Sequence, residues 1–244
     1  MVIDAHNHLG GPDKGDGKSQ SGNEIVRAMD ASGVDKAVVF PFNVADPGVS
    51  FWRANDYIAR EQAARPDRLA GFCRLDPTCG DAAVRELERC ISGLGLKGIK
   101  LHPTSQGFGL DHPALMDVLA AAQELGVPVV FDTGKRLSPP SGVARLALMF
   151  PRLQIIMAHM NLLDESLKAA RAAPNVFLGT TGYFNLPRLA GAIRELGASR
   201  FIAGSDSPYI KMAREVGKFS RMDTLTEKER RLVLGGNIGG VLDL

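Results

Sequence analysis

Two histidines stand one residue apart near the start of the chain, in Asp4-Ala5-His6-Asn7-His8, after the apolar Val2-Ile3. Side chains alternate across a β-strand, so His6 and His8 face the same way. Their Cα atoms then lie about 6.5–7 Å apart, and both imidazoles can reach one ion. The pair alone is a weak signal, because His-x-His also arises on surfaces. Residues of the same chemical kind elsewhere decide the matter. Lys100 and His102 end the run 98–102, Asp132 ends 127–132, His159 ends 153–159 and Asp206 ends 201–206. Each has an ordinary alternative: a hydrogen-bonded core histidine at 159, a helix cap at 206, a turn brace at 132, a solvated or carboxylate-paired ammonium at 100. All four would have to hold together. His112, between Asp111 and Pro113, reads as a surface or capping residue.

Groups scattered over 200 residues meet only if the strands carrying them end on one face. The apolar runs 2–6, 36–42, 69–75, 98–102, 127–132, 153–159, 175–181 and 201–206 are mostly continuous, as in strands buried on both faces. Helical patterns intervene. Residues 23–33 end on Gly33, residues 81–95 open with Asp81 as an N-cap, and 111–126 run from an early Pro113 to Gly126. Residues 186–197 repeat the pattern, and 226–244 supply helical closing segments. Eight strands alternating with helices predict an α/β fold, a single (β/α)8 barrel over residues 1–244, whose active sites form at the carboxyl ends of the strands. The first loop, 9–23, has neither a G-x-G-x-x-G nor a Walker lysine and reads as a mobile cover over the barrel mouth.

Bulk properties exclude other classes. Net charge is +2, from 29 basic and 27 acidic residues, and the basic residues are dispersed, so neither nucleic acid nor an anionic membrane is expected as partner. No apolar run nears the roughly 20 residues that span a bilayer, and no signal segment opens the chain. Three cysteines without C-x-x-C spacing fit reduced thiols in a cytoplasmic protein. A small-molecule substrate is expected, and a homo-oligomer is compatible with these residues.

Taken together, "DAHNH" at the first strand, "GIKLHP" at the fourth, "AHM" at the sixth, "GSDSPY" at the eighth and the closing "LGGNIGGVLDL" resemble the amidohydrolase superfamily. The match is to its amidohydrolase-related subset of decarboxylases, lactonases, hydratases and hydrolases. The resemblance implies that His6, His8 and Asp206 bind a divalent ion, zinc first and manganese as the alternative. It gives His159 to the metal or to the reacting water and substrate. Lys100 matches a strand-four position that some binuclear members carboxylate to bridge two ions. Strand five departs: such proteins usually carry a histidine ligand where Asp132 stands. A carboxylate also binds zinc or manganese, at about 2.0–2.2 Å, and favours the harder ion.

The expected activity is metal-dependent hydrolysis of a small amide, ester or lactone. Asp206 would move the proton of the activated water and His159 would polarise the substrate carbonyl. Arg74, His102 and Tyr183 are the substrate-binding candidates, with Lys135 and Arg136 as further cations for a carboxylate. A non-oxidative, metal-dependent decarboxylase of a small carboxylic acid is the alternative, and a barrel that has lost turnover the third reading.

Overall fold

A computed structural model describes residues 1–244. Nine parallel β-segments occupy the eight expected positions: β1 (Ile3–Leu9), β2 (Lys36–Pro41), β3 (Leu69–Gly71), β4 (Cys73–Arg74), β5 (Ile99–Leu101), β6 (Val129–Asp132), β7 (Ile155–Ala158), β8 (Val176–Gly179) and β9 (Phe201–Ile202). They pair in chain order, β1-β2-β3 and β4 through β9. β3 and β4 are halves of one expected strand, joined at Phe72, whose N–H still donates to Val39 O at 2.8 Å. The chain beyond β9 returns to β1: Ala5 N donates to Ala203 O (3.0 Å), Asp206 N to His6 O (2.7 Å) and His8 N to Ser207 O (2.8 Å). These bonds close the sheet into a (β/α)8 barrel. Closure requires a glycine at 204, where a Cβ would lie 2.6 Å from the Cβ of His6.

The continuous apolar character of the strands follows from two cores. Ile3, Ala5, Val38, Phe40, Phe72, Val130 and Ile156 fill the lumen, while the alternate residues Ala37, Val39, Cys73, Val129 and Ile155 pack outward on helices. The helices are α1 (Gly22–Asp30), α2 (Trp52–Ala64), α3 (Asp81–Glu88), α4 (Pro103–Gln106), α5 (Pro113–Glu124), α6 (Pro140–Met149), α7 (Leu163–Ala172), α8 (Leu186–Leu196), α9 (Met212–Ser220), α10 (Glu227–Arg231) and α11 (Asn237–Leu242). Ile238 and Leu242 of α11 plug the base of the lumen. Ser21 and Glu24 form a capping box on α1. Asp81 proves to be the first helical residue of α3, with Gly80 in the cap position. His112 does precede α5, but its side chain makes no capping bond. No helix is long and apolar enough to cross a membrane.

Strand β1 carries an irregularity with functional weight. Its register against β2 shifts between Asp4 and Asn7, a bulge. Below it Ile3 and Ala5 enter the lumen; above it the parity is reset and His6 and His8 both pack edge-on to the luminal Phe40. Asn7 satisfies the displaced backbone, its amide donating to Asp4 O (3.0 Å) and Val38 O (3.1 Å).

Candidate metal centre

The strand ends deliver their polar side chains to one place. His6 and His8 come from β1, Arg74 from β4, Lys100 from β5, Asp132 from β6, and His102, His159 and Asp206 from the residues that follow β5, β7 and β9. Several are held in unusual backbone. His159 (φ 79°), Met160 (φ 44°) and Asp206 (φ 66°) are left-handed, which costs about 1–3 kcal/mol per non-glycine residue. The bond from Asp206 N to His6 O holds the last of these in place.

Two charge groups share the mouth. In the first, Asp206 Oδ1 lies 3.1 Å from His8 Nε2 and 3.5 Å from His6 Nε2, and Lys100 Nζ lies 3.2 Å from His6 Nε2. In the second, Asp132 Oδ2 meets His159 Nε2 at 3.1 Å and His102 Nε2 at 3.3 Å. Lys135 Nζ approaches Asp132 Oδ1 to 2.8 Å, as a charge contact outside hydrogen-bond geometry. His102 Nδ1 accepts from Ser105 N at 3.1 Å, which fixes the ring. Burial drives His6 and His8 below the ordinary imidazole range, His6 further because Lys100 faces it. Burial also pushes Lys100 down to about 7 and His102 to about 3. Asp132 is the opposite case. Burial alone would raise it, but the His159 bond and the Lys100 charge hold it well below the usual carboxylate range.

A cavity of about 220 Å³ opens between these groups. Its strand-end walls are His8, Arg74, His102, Asp132, His159 and Asp206; Asp13, Asn43, Ser105, Lys135 and Tyr209 close it from the loops.

One nitrogen each from His6 and His159 and one oxygen of Asp206 lie within 4.8 Å of one another. Two imidazoles and a carboxylate make an open donor set for a divalent ion, leaving coordination positions facing the cavity. A slight contraction brings three such atoms to bonding distance, since ligands about 2.0–2.2 Å from one ion lie no more than about 4.4 Å apart. The residues therefore fit a metal. Lys100 fits as well, because an amine that burial brings to about 7 does not oppose a dication as a fixed ammonium would.

All six expected ligands gather at the mouth, but only His8, Asp132, His159 and Asp206 line the cavity, with His6 and Lys100 buried behind them. His6, His159 and Asp206 form the compact group; His8 leans on Asp206, and Asp132 is engaged by His102, His159 and Lys135. Arg74 and His102 line the cavity as expected. Tyr183 does not. A turn closed by Tyr183 N to Thr180 O directs it to the helical shell, where its side chain packs against the core and its carbonyl accepts from Lys218. Tyr209 takes that wall instead, its ring 5.6 Å from that of His8. Arg136 opens on a separate surface groove. The first loop, expected as a mobile cover, brings Asp13 to the cavity wall and is pinned there by Asn43 N to Asp13 Oδ2 (3.2 Å) and by Lys18 Nζ over the Tyr209 ring (4.6 Å). Asp13, Asn43 and Ser105 carried no sequence signal; Tyr209 stood inside "GSDSPY" without a role.

Comparison with known proteins agrees with this architecture. A γ-resorcylate decarboxylase of Polaromonas sp. is 26% identical over 247 residues, covering 79% of this chain and 76% of that protein. The crystal structure of a 2,6-dihydroxybenzoate decarboxylase with 2,6-dihydroxybenzoate superposes with a TM-score of 0.79 at 22% identity, over 100% of this chain and 99% of that one. A Polaromonas dihydroxybenzoic acid decarboxylase with bound manganese and 2-nitroresorcinol gives 0.76 at 21%, over 100% and 97%. The family model described as amidohydrolase matches residues 3–244, and the chain belongs to that family.

Proposed function

We propose that the protein is a metal-dependent, non-oxidative decarboxylase of a small carboxylic acid. What supports this over hydrolysis is the chain's likeness to curated γ-resorcylate decarboxylases; the His6–His159–Asp206 group and the small polar cavity would serve either reaction. A divalent ion held there, manganese or zinc, would supply Lewis acidity to a substrate oxygen next to the carbon that loses CO2.

The chain's own residues do the rest. As the C–C bond breaks, its electron pair stays on the substrate carbon, CO2 leaves, and that carbon must receive one proton. Lys135 is placed to give it: its Nζ reaches solvent and lies 3.2 Å from His102 Nε2 at the cavity wall. Asp132, held ionised, keeps Lys135, His102 and His159 aligned. Burial keeps His102 neutral, and with Nδ1 accepting from Ser105 N its Nε2–H faces Asp132, so it orients that carboxylate rather than carrying the proton itself. Arg74 and Tyr209 bound the substrate opposite.

The test is turnover of manganese-loaded protein on a panel of carboxylic acids, 2,6-dihydroxybenzoate among them, in D2O and in H2(18)O. CO2 release with one deuterium at the carbon that bore the carboxylate is expected. Product carrying (18)O without CO2 would return the enzyme to hydrolysis.

A further inference from the structure

A second and larger cavity, of about 870 Å³, adjoins the one that holds the strand-end ligands. It lies between the first loop, the start of α1, the chain after β2 and the start of α2. Asp13 borders both cavities, so one layer of chain separates them. That layer is a pair of antiparallel segments: Asp13 bridges to Val44, and Lys14 N donates to Asn43 O at 2.8 Å. Neighbouring residues of an extended chain face opposite sides, and here Asn43 borders the metal cavity while Val44 borders the larger one. Phe42 also lines the larger cavity and stacks on His8, with ring centroids 5.0 Å apart.

The two cavities differ in chemistry. All but one of the eleven residues around the smaller are polar or charged. Around the larger, Leu9, Pro12, Pro41, Val44, Ala54 and Tyr57 form apolar walls. Glycine at 10 (φ 83°) lets the loop come down on α2, for a Cβ there would stand 3.2 Å from the Tyr57 ring. Two prolines and a tyrosine ring present flat faces, which suit a planar ring.

The charged residues of the larger cavity are already committed. Glu24 Oε2 accepts from Ser21 N (2.8 Å) in the α1 cap. Asp13 accepts from Gly15 N (2.8 Å) and Asn43 N (3.2 Å), and Asp46 from Gly48 N (3.2 Å) and Arg53 (3.4 Å). Arg53 lies 4.9 Å over the Trp52 ring, and Lys14 is exposed. These three carboxylates outnumber the two cations, so the rim does not favour an anion. A carboxylate entering here would lose its hydration with no buried cation to replace it, a cost that an uncharged ring escapes.

We propose that this larger cavity is a binding site for an uncharged aromatic molecule, which stands against the metal cavity across the Asp13–Asn43 layer rather than inside it. The two cavities thus sort ligands by charge, and the larger one is independent of which reaction the metal cavity performs.

Calorimetric titration of manganese-loaded protein with indole tests the proposal. Indole binds with a Kd below about 1 mM. Indole-3-carboxamide, uncharged, competes and weakens the apparent indole affinity at least threefold, whereas the same concentration of indole-3-carboxylate leaves it within about twofold. Ala45→Trp, at an exposed position, and Ala54→Trp each fill the cavity and weaken indole at least about 10-fold. Absence of indole binding to the unmutated protein, which needs no variant, overturns the proposal. So does competition by the carboxylate equal to that by the carboxamide, or an indole affinity that survives in either variant that folds. Loss of indole binding as protein concentration rises gives the cavity to a second copy of the chain and overturns it as well.

Discussion

Two places in this molecule bury full charges, and they are built differently. At the mouth, Arg74 Nη1, His8 Nδ1 and Asp132 Oδ1 are buried without hydrogen-bond partners beside an open cavity. Below β8, Glu215 and Lys218 are as deeply buried, but nothing there is left open. Lys218 Nζ donates to Glu215, to Thr180 O (2.6 Å) and to Tyr183 O (3.2 Å), and Glu215 accepts from Thr180 Oγ1 (3.2 Å). Burial of charge therefore does not single out a working site here; incompleteness does. Buried polar groups are nearly always satisfied in folded proteins, so a concentration of unsatisfied ones facing empty space points to a missing ligand.

The contrast can be broken by mutation. The largest effect is expected at the incomplete site. His6→Ala or Asp206→Asn should lower metal affinity more than about 100-fold, since even partners behind a ligand are worth 10–100-fold. Chelator competition with elemental mass spectrometry reads this, and unchanged metal content would remove these residues from the ligand set. Melting temperature should move far less than affinity.

The reverse pattern belongs to the closed pair. Lys218→Met strands Glu215 in the interior and should cost about 3–5 kcal/mol of stability, measured by urea denaturation, while per-molecule turnover of the folded fraction is retained. Turnover lost without a stability change would make the pair part of the chemistry.

A pH experiment sharpens the same distinction. Burial lifts the Glu215 carboxyl to about 7 from an ordinary 4.5 and pushes Lys218 below its usual range, so both are drawn toward their neutral forms. With its folded value raised, Glu215 contributes stability that is full below pH 4.5 and lost as pH rises through 7. The loss is up to about 3 kcal/mol. Denaturation across pH 4.5–7.5 should show this decline in the unmutated protein and a shallower one in Glu215→Gln. Parallel curves would assign the slope to other groups.

The smallest effect separates the two tyrosines. Tyr183→Ala should leave KM within about twofold, because its ring packs away from the cavity, whereas Tyr209→Phe should raise KM by about 5–10-fold through a lost hydrogen bond. Equal responses would contradict the placement of the cavity wall.

The strands were readable because burial on both faces leaves unbroken apolar runs, and the strand-end ligands because a polar residue closing such a run is conspicuous. All eight strand positions and the convergence of His6, His8, Lys100, Asp132, His159 and Asp206 on one mouth were legible for that reason. The β1 bulge was not, since it depends on Asn7 bonding to Val38, 31 residues away. Helices α2, α4, α6, α7 and α9 went unassigned; α6 opens on Pro139-Pro140-Ser141-Gly142, and α7 has no side-chain cap. Asp13 and Asn43 lie in loops, where no periodicity marks a residue, and Tyr183 was misplaced because a turn after β8 redirects the chain. Asp132 looked like a ligand by position, but its three basic neighbours appear only in three dimensions. The reaction was the least legible of all. Hydrolysis and decarboxylation ask for the same ion donors, and the relatives, not the residue types, favour decarboxylation.

The seam that closes the barrel has a consequence for how the protein comes into being. Ser205 N bonds to Asp4 across 201 positions of chain, and His6 meets Asp206 at the same seam. Contacts of such separation are the slowest to form, and an ion cannot be captured by ligands that have not yet met. A fragment lacking the first strand loses His6 and one lacking the last loses Asp206, so the three-donor group exists only once both ends of the chain have met.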